Sequence, residues 1–293
     1  MAIREFLRLG EAFSDLAAWR GLQKYEDFLA PTGAVKVAEV RDRVVLYLPA
    51  REGSEGGLYL KVFRKRGANR PWLQLLRGEQ PHSLAEHETR RLEWLEAAGF
   101  LCPRVVAWGA RMKGWSEVDS FLLTSELVGM QALDEWLLDE TPDHSKRVLK
   151  RSLLLAAART LANLHRSGFD HTHPYLRHFF VPRNTGDLPP EAISVAVIDV
   201  HTARIGRAVS RGNRERALAE IFLSSLKVPL SQSDRVAFLR EYLDGEIDQA
   251  FLGGLLRRFR QKLRRHPNRY RWAKERVSAL PFPSAFRKLA EDR

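Results

Sequence analysis

The character of the sequence changes near residue 128, and this change limits the fold more than any other feature. Before it, short apolar segments rich in β-branched residues predict strands, with one helix among them. The strand segments are 35–48, a hairpin turning near 41–43, then 58–63, 103–109 and 121–127, and the helix covers 83–98. After Gly129, apolar residues recur at helical spacing over 133–138 and 145–165. The pattern predicts an α+β protein in which a strand-rich half precedes a mainly helical half.

The length and composition allow two lobes and a real core, since 44% of the 293 residues are hydrophobic. The lone cysteine, Cys102, excludes an internal disulfide and a cysteine-based metal cluster, and it fits a reducing compartment. Charged residues interrupt the apolar residues of the first eleven positions, and no later apolar run is long enough to span a bilayer. We therefore expect a cytoplasmic protein that is soluble or peripheral to a membrane.

The net charge of +12 is concentrated in residues 251–293, which carry thirteen basic and three acidic residues. Apolar residues recur there at helical spacing, from Leu252 to Leu263, with basic residues between them. Such a helix can lie on an anionic membrane surface, although an ordinary surface helix packed through its leucines explains the apolar stripe equally simply. Nucleic acid would also satisfy the charge, but no nucleic-acid-binding motif accompanies it, so we expect no nucleic-acid partner.

Lys61 lies inside the apolar strand segment 58–63. Its stem could pack on the sheet while its ammonium reaches solvent at an edge, or it could be a phosphate-binding lysine on a rigid strand. The next helix favours the second interpretation. Ser83 and Glu86 have the spacing of a capping box, which leaves Glu88 free to face the sheet.

The stretch 164–199 contains the polar residues that most resemble a reaction centre. A helix ends at Gly168, a loop dense in histidine and aspartate follows, and an apolar strand over 193–199 ends at Asp199. One interpretation is a zinc or iron centre for hydrolysis or oxygen chemistry. Its candidate ligands are Asp170, His171, His173, His178, Asp199 and His201. A metal centre explains neither Lys61 nor Glu88, and in the simplest interpretation His171 is a structural hydrogen-bonding group and His201 a loop residue.

The order of these motifs resembles the protein-kinase-like fold, and more narrowly the bacterial lipopolysaccharide core kinase family (WaaP/InaA type). The resemblance covers roughly residues 58–200 and rests on five short pieces. These are EHETRRLEWL at 86–95, FLLTSEL at 121–127, LHRSG at 164–168, YLRHF at 175–179 and IDVHTAR at 198–204. The resemblance implies two lobes, with residues 1–128 as the nucleotide-binding lobe, 129–250 as the catalytic lobe and 251–293 as a basic extension.

The resemblance also implies roles for individual residues, because phosphoryl transfer depends mainly on positioning and on neutralising phosphate charge. Lys61 is expected to contact the phosphates of ATP and Glu88 to orient that lysine. The backbone of Ser125, Glu126 and Leu127 is expected to bind the adenine. His178 and Asp199 are the expected Mg²⁺ ligands.

The position of the usual catalytic aspartate, in the pattern His-x-Asp, is occupied here by His173. A histidine can act as a base near neutral pH, and Asp170 is the alternative base. The substitution also permits a catalytically inactive kinase-like binding protein. A small-molecule kinase is a further alternative.

We expect an ATP-dependent kinase that phosphorylates a sugar, a heptose, of the lipopolysaccharide inner core. Its partners are expected to be lipopolysaccharide or a lipid-linked core precursor, and the anionic membrane surface through residues 251–293. The expected location is the cytoplasmic face of the inner membrane.

Overall fold

A computed structural model describes residues 3–10, 21–40, 42–50, 56–64, 82–139, 144–184, 192–206, 208–245 and 247–266. The basic segment 65–80, Gly53 of the glycine-rich connection and the last part of the basic tail, 267–293, lie outside the described residues. The chain divides into two compact units, Met1–Val128 and Gly129–Arg293. The first unit is rich in strands and the second is mainly helical, as the sequence predicts.

The first unit is built on a six-stranded antiparallel sheet with the order β1-β5-β6-β4-β3-β2. Its strands are β1 (Ile3–Leu9), β2 (Val35–Val40), β3 (Arg43–Leu48), β4 (Leu58–Arg64), β5 (Val105–Lys113) and β6 (Ser116–Ser125). Strands β2 and β3 form the predicted hairpin, and β5 and β6 turn at Gly114, whose φ is 62°. Strand β4 is central, because it pairs with β3 on one side and with β6 on the other.

The first strand expected from the sequence begins at residue 35, but the structure has an earlier strand, β1, which pairs antiparallel with β5. Every side chain of β1 is exposed, so neither face carries a continuous apolar stripe. Edge strands of this kind lack the alternation that identifies a half-buried strand, because neither face lies against a core.

Alternation along β4 places Leu60 and Val62 on the face that forms the core of this unit. Helix α1 (Tyr25–Leu29) covers that face, and its Phe28 ring stacks on Phe121 with centroids 4.2 Å apart. Lys61 therefore points to the opposite face of the sheet.

Helix α2 (Leu84–Ala97) is fixed to the sheet through its first turn. The Ser83 hydroxyl accepts a hydrogen bond from the Glu86 backbone amide, as the predicted cap requires. Two further amides of this turn donate to strand β6, that of Leu84 to the Glu117 carboxylate and that of Ala85 to the Ser120 hydroxyl. The Glu86 side chain instead accepts from Arg90, so it does not close the predicted capping box.

The second unit combines five helices with two small sheets among its described residues. The helices are α3 (Leu133–Leu138), α4 (His144–Arg166), α5 (Arg211–Ser225), α6 (Gln232–Tyr242) and α7 (Gln249–Arg265). Strands β7 (Met130–Ala132), β9 (Phe179–Pro182) and β10 (Ala196–Val197) form one sheet, and β8 (Phe169–Asp170) and β11 (Arg204–Ile205) form the other. A short 3-10 turn, Leu176–His178, precedes β9.

The predicted strand 193–199 is shorter than expected, since only Ala196 and Val197 pair with a neighbour. The chain leaves the sheet before Asp199, which has a positive φ of 57°. This backbone conformation is uncommon for an aspartate, and residues held in it cluster at functional sites.

Helix α7 contains the predicted amphipathic stripe, and its apolar side is already used by the fold. The helix packs against α5, and Leu255 and Phe259 are fully buried. The simpler sequence interpretation is therefore confirmed for the apolar residues, while Arg257, Arg258 and Arg264 remain exposed. None of the described helices combines the length and apolarity needed to cross a membrane.

Candidate active site

The first group of candidate residues lies on the sheet of the first unit, where the ammonium of Lys61 donates to the carboxylate of Glu88. The Glu88 side chain is 1% exposed and that of Lys61 is 17% exposed. The other Glu88 oxygen, Oε2, is buried and has no hydrogen-bond partner among the described residues. A buried ion pair of this kind holds the lysine in one direction, and its slight exposure leaves the ammonium able to meet an anionic ligand.

The segment Ser125 to Leu127 follows strand β6, and the fold uses much of its hydrogen-bonding capacity. The Ser125 amide donates to the Arg104 carbonyl at 2.9 Å, and the Glu126 amide donates to the Gly57 carbonyl at 3.0 Å. The Glu126 carboxylate accepts from the Gly57 amide and the Tyr47 hydroxyl. Within the described chain, the amide of Leu127 donates to no other group. It is therefore the amide of this segment that is available to a ligand.

The second group lies in the other unit, around Asp199. One Asp199 oxygen, Oδ1, accepts from Nδ1 of His201 at 2.6 Å, and Oδ2 lies 3.5 Å from Nε2 of His178. His178 donates from its other nitrogen, Nδ1, to the carbonyl of His173 at 2.8 Å. Burial lowers the pKa of His178 to about 3, so the imidazole is neutral at physiological pH. Its Nε2 is therefore an acceptor, and it accepts a hydrogen bond from Nε of Arg177 at 3.2 Å.

The side chains of Asp199 and His178 fit a bound Mg²⁺ ion. The Nε2 lone pair of His178 and the Oδ2 atom of Asp199 are both electron-pair donors, so no hydrogen bond joins them. A cation bound between them would take the place of Arg177 at Nε2. Among the residues that the structure describes, no three His, Cys, Asp or Glu side chains gather as a metal cage. The alternative of a zinc or iron centre therefore finds no ligand set there, whereas Mg²⁺ ordinarily needs one or two protein ligands with phosphate oxygens and water.

The side chain of His173 meets helix α5. Its Nδ1 lies 3.1 Å from Oε1 of Glu220, and the same oxygen accepts from the ammonium of Lys262 on helix α7. Glu220 is fully buried, whereas the His173 side chain is 47% exposed. Burial by itself raises the pKa of Glu220, but the hydrogen bonds from His173 and Lys262 outweigh it and hold this pKa below its usual range. Glu220 is therefore ionised.

Asp170, the other candidate base, forms an ion pair with Arg216. Nη2 of Arg216 donates to both Asp170 oxygens at 2.8 Å, and the Asp170 side chain is only 4% exposed. Arg216 and Glu220 lie one turn apart on α5, so the helix presents a cation to Asp170 and an anion to His173.

His171 is the structural hydrogen-bonding group that the simplest interpretation expects, since its buried Nε2 donates to the Ile198 carbonyl at 2.9 Å. Burial holds its pKa below the usual value, so it is neutral. Sequence reasoning missed Glu220 and Arg216, and it named His201 only as a candidate metal ligand or a loop residue, not as the hydrogen-bonding partner of Asp199. A signal for Glu220 was present, because it is a single acid within the apolar run AlaLeuAla-Glu-IlePheLeu of 217–223.

Known proteins are similar to this chain over most of its length. The profile of the lipopolysaccharide kinase (Kdo/WaaP) family matches residues 32–242. The lipopolysaccharide core heptose(I) kinase WaaP of Pseudomonas aeruginosa is 30% identical over 271 residues, which are 90% of this chain and 98% of that one. The protein of the same name from Escherichia coli is 26% identical over 80% of this chain and 86% of its own. A solved structure of WaaP in complex with acyl carrier protein matches with a TM-score of 0.60 and 26% identity, over 97% of this chain and 99% of that one.

These matches confirm the family that the sequence motifs predict, together with the two-lobed kinase-like fold and the assignment to the phosphotransferases. They extend well beyond residues 58–200, where the motifs lie, and include almost the whole length of the Pseudomonas protein. The chain belongs to the lipopolysaccharide kinase (Kdo/WaaP) family.

Proposed function

We propose that the chain transfers the γ-phosphoryl group of ATP to a heptose hydroxyl of the lipopolysaccharide inner core. The observation that carries this proposal is the similarity to the Pseudomonas heptose(I) kinase over 98% of that protein's length. The ion pair between Lys61 and Glu88 and the pair of Asp199 with His178 support it, because a phosphotransferase needs a held lysine and a metal-binding carboxylate.

Each group of side chains has a role in this proposal. Lys61, oriented by Glu88, binds phosphate oxygens, and the 125–127 segment binds the adenine through the amide of Leu127. Asp199 and His178 hold Mg²⁺, and His201 fixes the direction of the Asp199 carboxylate. The ion, when bound, neutralises charge on the phosphates during transfer. His173 is the base for the acceptor hydroxyl, since its ring is half-exposed while Asp170 is buried and paired with Arg216.

The test is transfer of labelled phosphate from Mg·ATP to lipopolysaccharide purified from cells that lack this gene. We expect label in the lipopolysaccharide with the wild type and none with Lys61→Ala. A matched control is Lys36→Ala, which removes an exposed lysine of strand β2 and should leave transfer unchanged. ATP binding without label would favour the inactive kinase-like protein or a small-molecule acceptor, and failure to bind ATP would exclude a kinase.

The proposed location is the cytoplasmic face of the inner membrane, with the basic side of α7 on the anionic surface. Five arginines of this helix line an open groove of about 580 Å³: Arg257, Arg258, Arg260, Arg264 and Arg265. Deleting residues 251–293 would be a poor test, because it would also remove the buried Leu255 and Phe259. Charge removal by Arg257→Gln, Arg258→Gln and Arg264→Gln keeps that packing.

We expect this triple variant to pellet less with vesicles containing anionic lipid at moderate salt, and equally little with neutral vesicles. The control replaces three exposed arginines of the first unit, Arg8, Arg90 and Arg104, by glutamine. Equal pelleting of wild type and triple variant would remove the membrane role of α7.

Acyl carrier protein is a further proposed partner, because the matching solved structure of WaaP is a complex with that protein. The similarity covers 97% of this chain. The test is co-expression of the tagged chain with acyl carrier protein and mass spectrometry of the purified sample. Purification of the chain alone in a folded state would contradict the proposal.

A further inference from the structure

We propose that Glu220, supported by Lys262, is a positioning residue that holds a ring proton of His173 on Nδ1 and leaves Nε2 free to accept the proton of the acceptor hydroxyl. The inference rests on the proposed phosphotransferase function and assigns a role to two residues that lie outside the motifs found in the sequence. It concerns residues of one unit only, on the loop after β8 and on helices α5 and α7.

The tautomer follows from the hydrogen-bonding capacity of the partners. An ionised carboxylate only accepts hydrogen bonds, so at 3.1 Å from Glu220 the Nδ1 atom of His173 must be the donor. A neutral imidazole has one ring proton, and its place on Nδ1 leaves the lone pair on Nε2. The His173 side chain is 47% exposed, so the fold does not enclose the ring.

Lys262 explains how a carboxylate can be kept ionised at a fully buried position. An unpaired buried charge is strongly unfavourable, and a buried carboxylate normally takes up a proton instead. The ammonium of Lys262 donates to the same oxygen, Oε1, that faces His173. It therefore supplies the counter-charge that keeps Glu220 an acceptor.

Helix α5 distinguishes the two candidate bases by the residues that it presents to them. Arg216 donates to both oxygens of Asp170, so this carboxylate is already paired within the fold. One turn later, Glu220 presents a carboxylate oxygen 3.1 Å from Nδ1 of His173, which orients the ring. The same helix therefore pairs one candidate base with a cation and orients the other.

The acceptor oxygen forms a bond to the γ-phosphorus of ATP while the bond from that phosphorus to the bridging oxygen breaks, and ADP leaves with the electron pair. The hydroxyl proton passes to Nε2 of His173. The resulting imidazolium donates from Nδ1 to Glu220, which stabilises its charge, and the proton is later released to solvent.

The principal experiment is a double-variant cycle in the lipopolysaccharide transfer assay. We expect Glu220→Gln to lower kcat on the order of 10²-fold with little change in the KM for ATP, because general-base catalysis typically contributes a factor of this size. An aspartate at position 173 needs no tautomer selection and would be repelled by Glu220. In the His173→Asp background, Glu220→Gln should therefore leave kcat unchanged or raise it. The control is Glu241→Gln on helix α6, which removes the ion-pair partner of Arg159.

A purely structural role for Glu220 would lower kcat by the same factor in both backgrounds, and that result would overturn the inference. The tautomer can be measured without activity, by nitrogen NMR of ¹⁵N-histidine-labelled protein with His173→Gln to assign the signal. We expect a protonated Nδ1 and an unprotonated Nε2 for His173. The opposite tautomer would overturn the inference. A wild type with the expected tautomer but no transfer would instead count against the proposed function.

Discussion

Lys61 and Glu88, 27 residues apart in the sequence, form an ion pair whose carboxylate is almost fully buried. Strand β4 provides one partner from the centre of the sheet, and helix α2 provides the other from the face opposite the apolar core. The first turn of α2 is held to β6 by Glu117 and Ser120, so the position of Glu88 depends on contacts made well before it in the helix.

The burial of Glu88 predicts that stability and activity can be separated at this pair. Lys61→Met leaves the carboxylate buried and unpaired, which should lower the free energy of unfolding by about 3–5 kcal/mol. Adding Glu88→Leu removes the buried charge and should recover most of that loss, while transfer stays abolished in both variants. Denaturant unfolding and the transfer assay measure the two effects. Lys36→Met, at an exposed pair with Glu39, is the control and should unfold like the wild type.

The hydrogen bond from His201 to Asp199 predicts a metal-binding effect of a residue that need not touch the metal. His201→Ala should weaken Mg²⁺ binding by about 10- to 100-fold, because partners that orient a ligand have effects of this size. Asp199→Asn should abolish Mg²⁺ binding. The measurement is isothermal titration calorimetry of Mg²⁺ binding in the presence of a non-hydrolysable ATP analogue. An unchanged Mg²⁺ affinity of His201→Ala would contradict the orienting role.

The N-cap of helix α2 predicts that variants at position 83 differ in stability in a graded order. Ser83→Ala removes the acceptor of the Glu86 amide and should cost about 1 kcal/mol of stability. Ser83→Asn provides another good capping side chain and should retain most of it. Thermal unfolding of the three proteins tests the order. Equal melting temperatures for Ser83→Ala and the wild type would show that the cap contributes nothing.

The buried His165 predicts acid sensitivity of the second unit. Its Nδ1 lies 2.6 Å from the Tyr242 hydroxyl, and burial lowers its pKa from 6.5 to about 3. The unfolded chain therefore binds the proton first as the pH falls. The stabilising contribution is complete above pH 6.5 and is lost as the pH falls through the window from 6.5 to 3.

The measurement is urea unfolding at several pH values for the wild type and for His165→Gln. Below pH 6 the wild type should lose stability faster than the variant, by about 1.4 kcal/mol per pH unit. His266→Gln, at an exposed position after α7, is the control and should follow the wild type. Parallel curves for wild type and His165→Gln would contradict the prediction.

The sequence predicted the elements whose patterns are local. The β-branched hairpin of 35–48, the cap at Ser83 and the helix ending at Gly168 all depend on residues close together in the chain, and the structure contains each of them. Strand β1 was missed because all its side chains are exposed and no apolar alternation marks it. The predicted strand before Asp199 was too long, because an apolar run does not specify how many of its residues pair.

The candidate site residues also divide into those that local sequence singles out and those that only long-range contacts distinguish. The resemblance to the family singled out Lys61, Glu88, His178 and Asp199 as candidates, and it rests on short pieces of sequence. It left Asp170 and His173 as equal candidates for the base. Their difference lies in long-range contacts, since Arg216 and Glu220 are 46 and 47 residues away from them in the sequence. The residue types of the site are therefore determined by local sequence, whereas the charge presented to each base is decided only when helix α5 packs beside the loop.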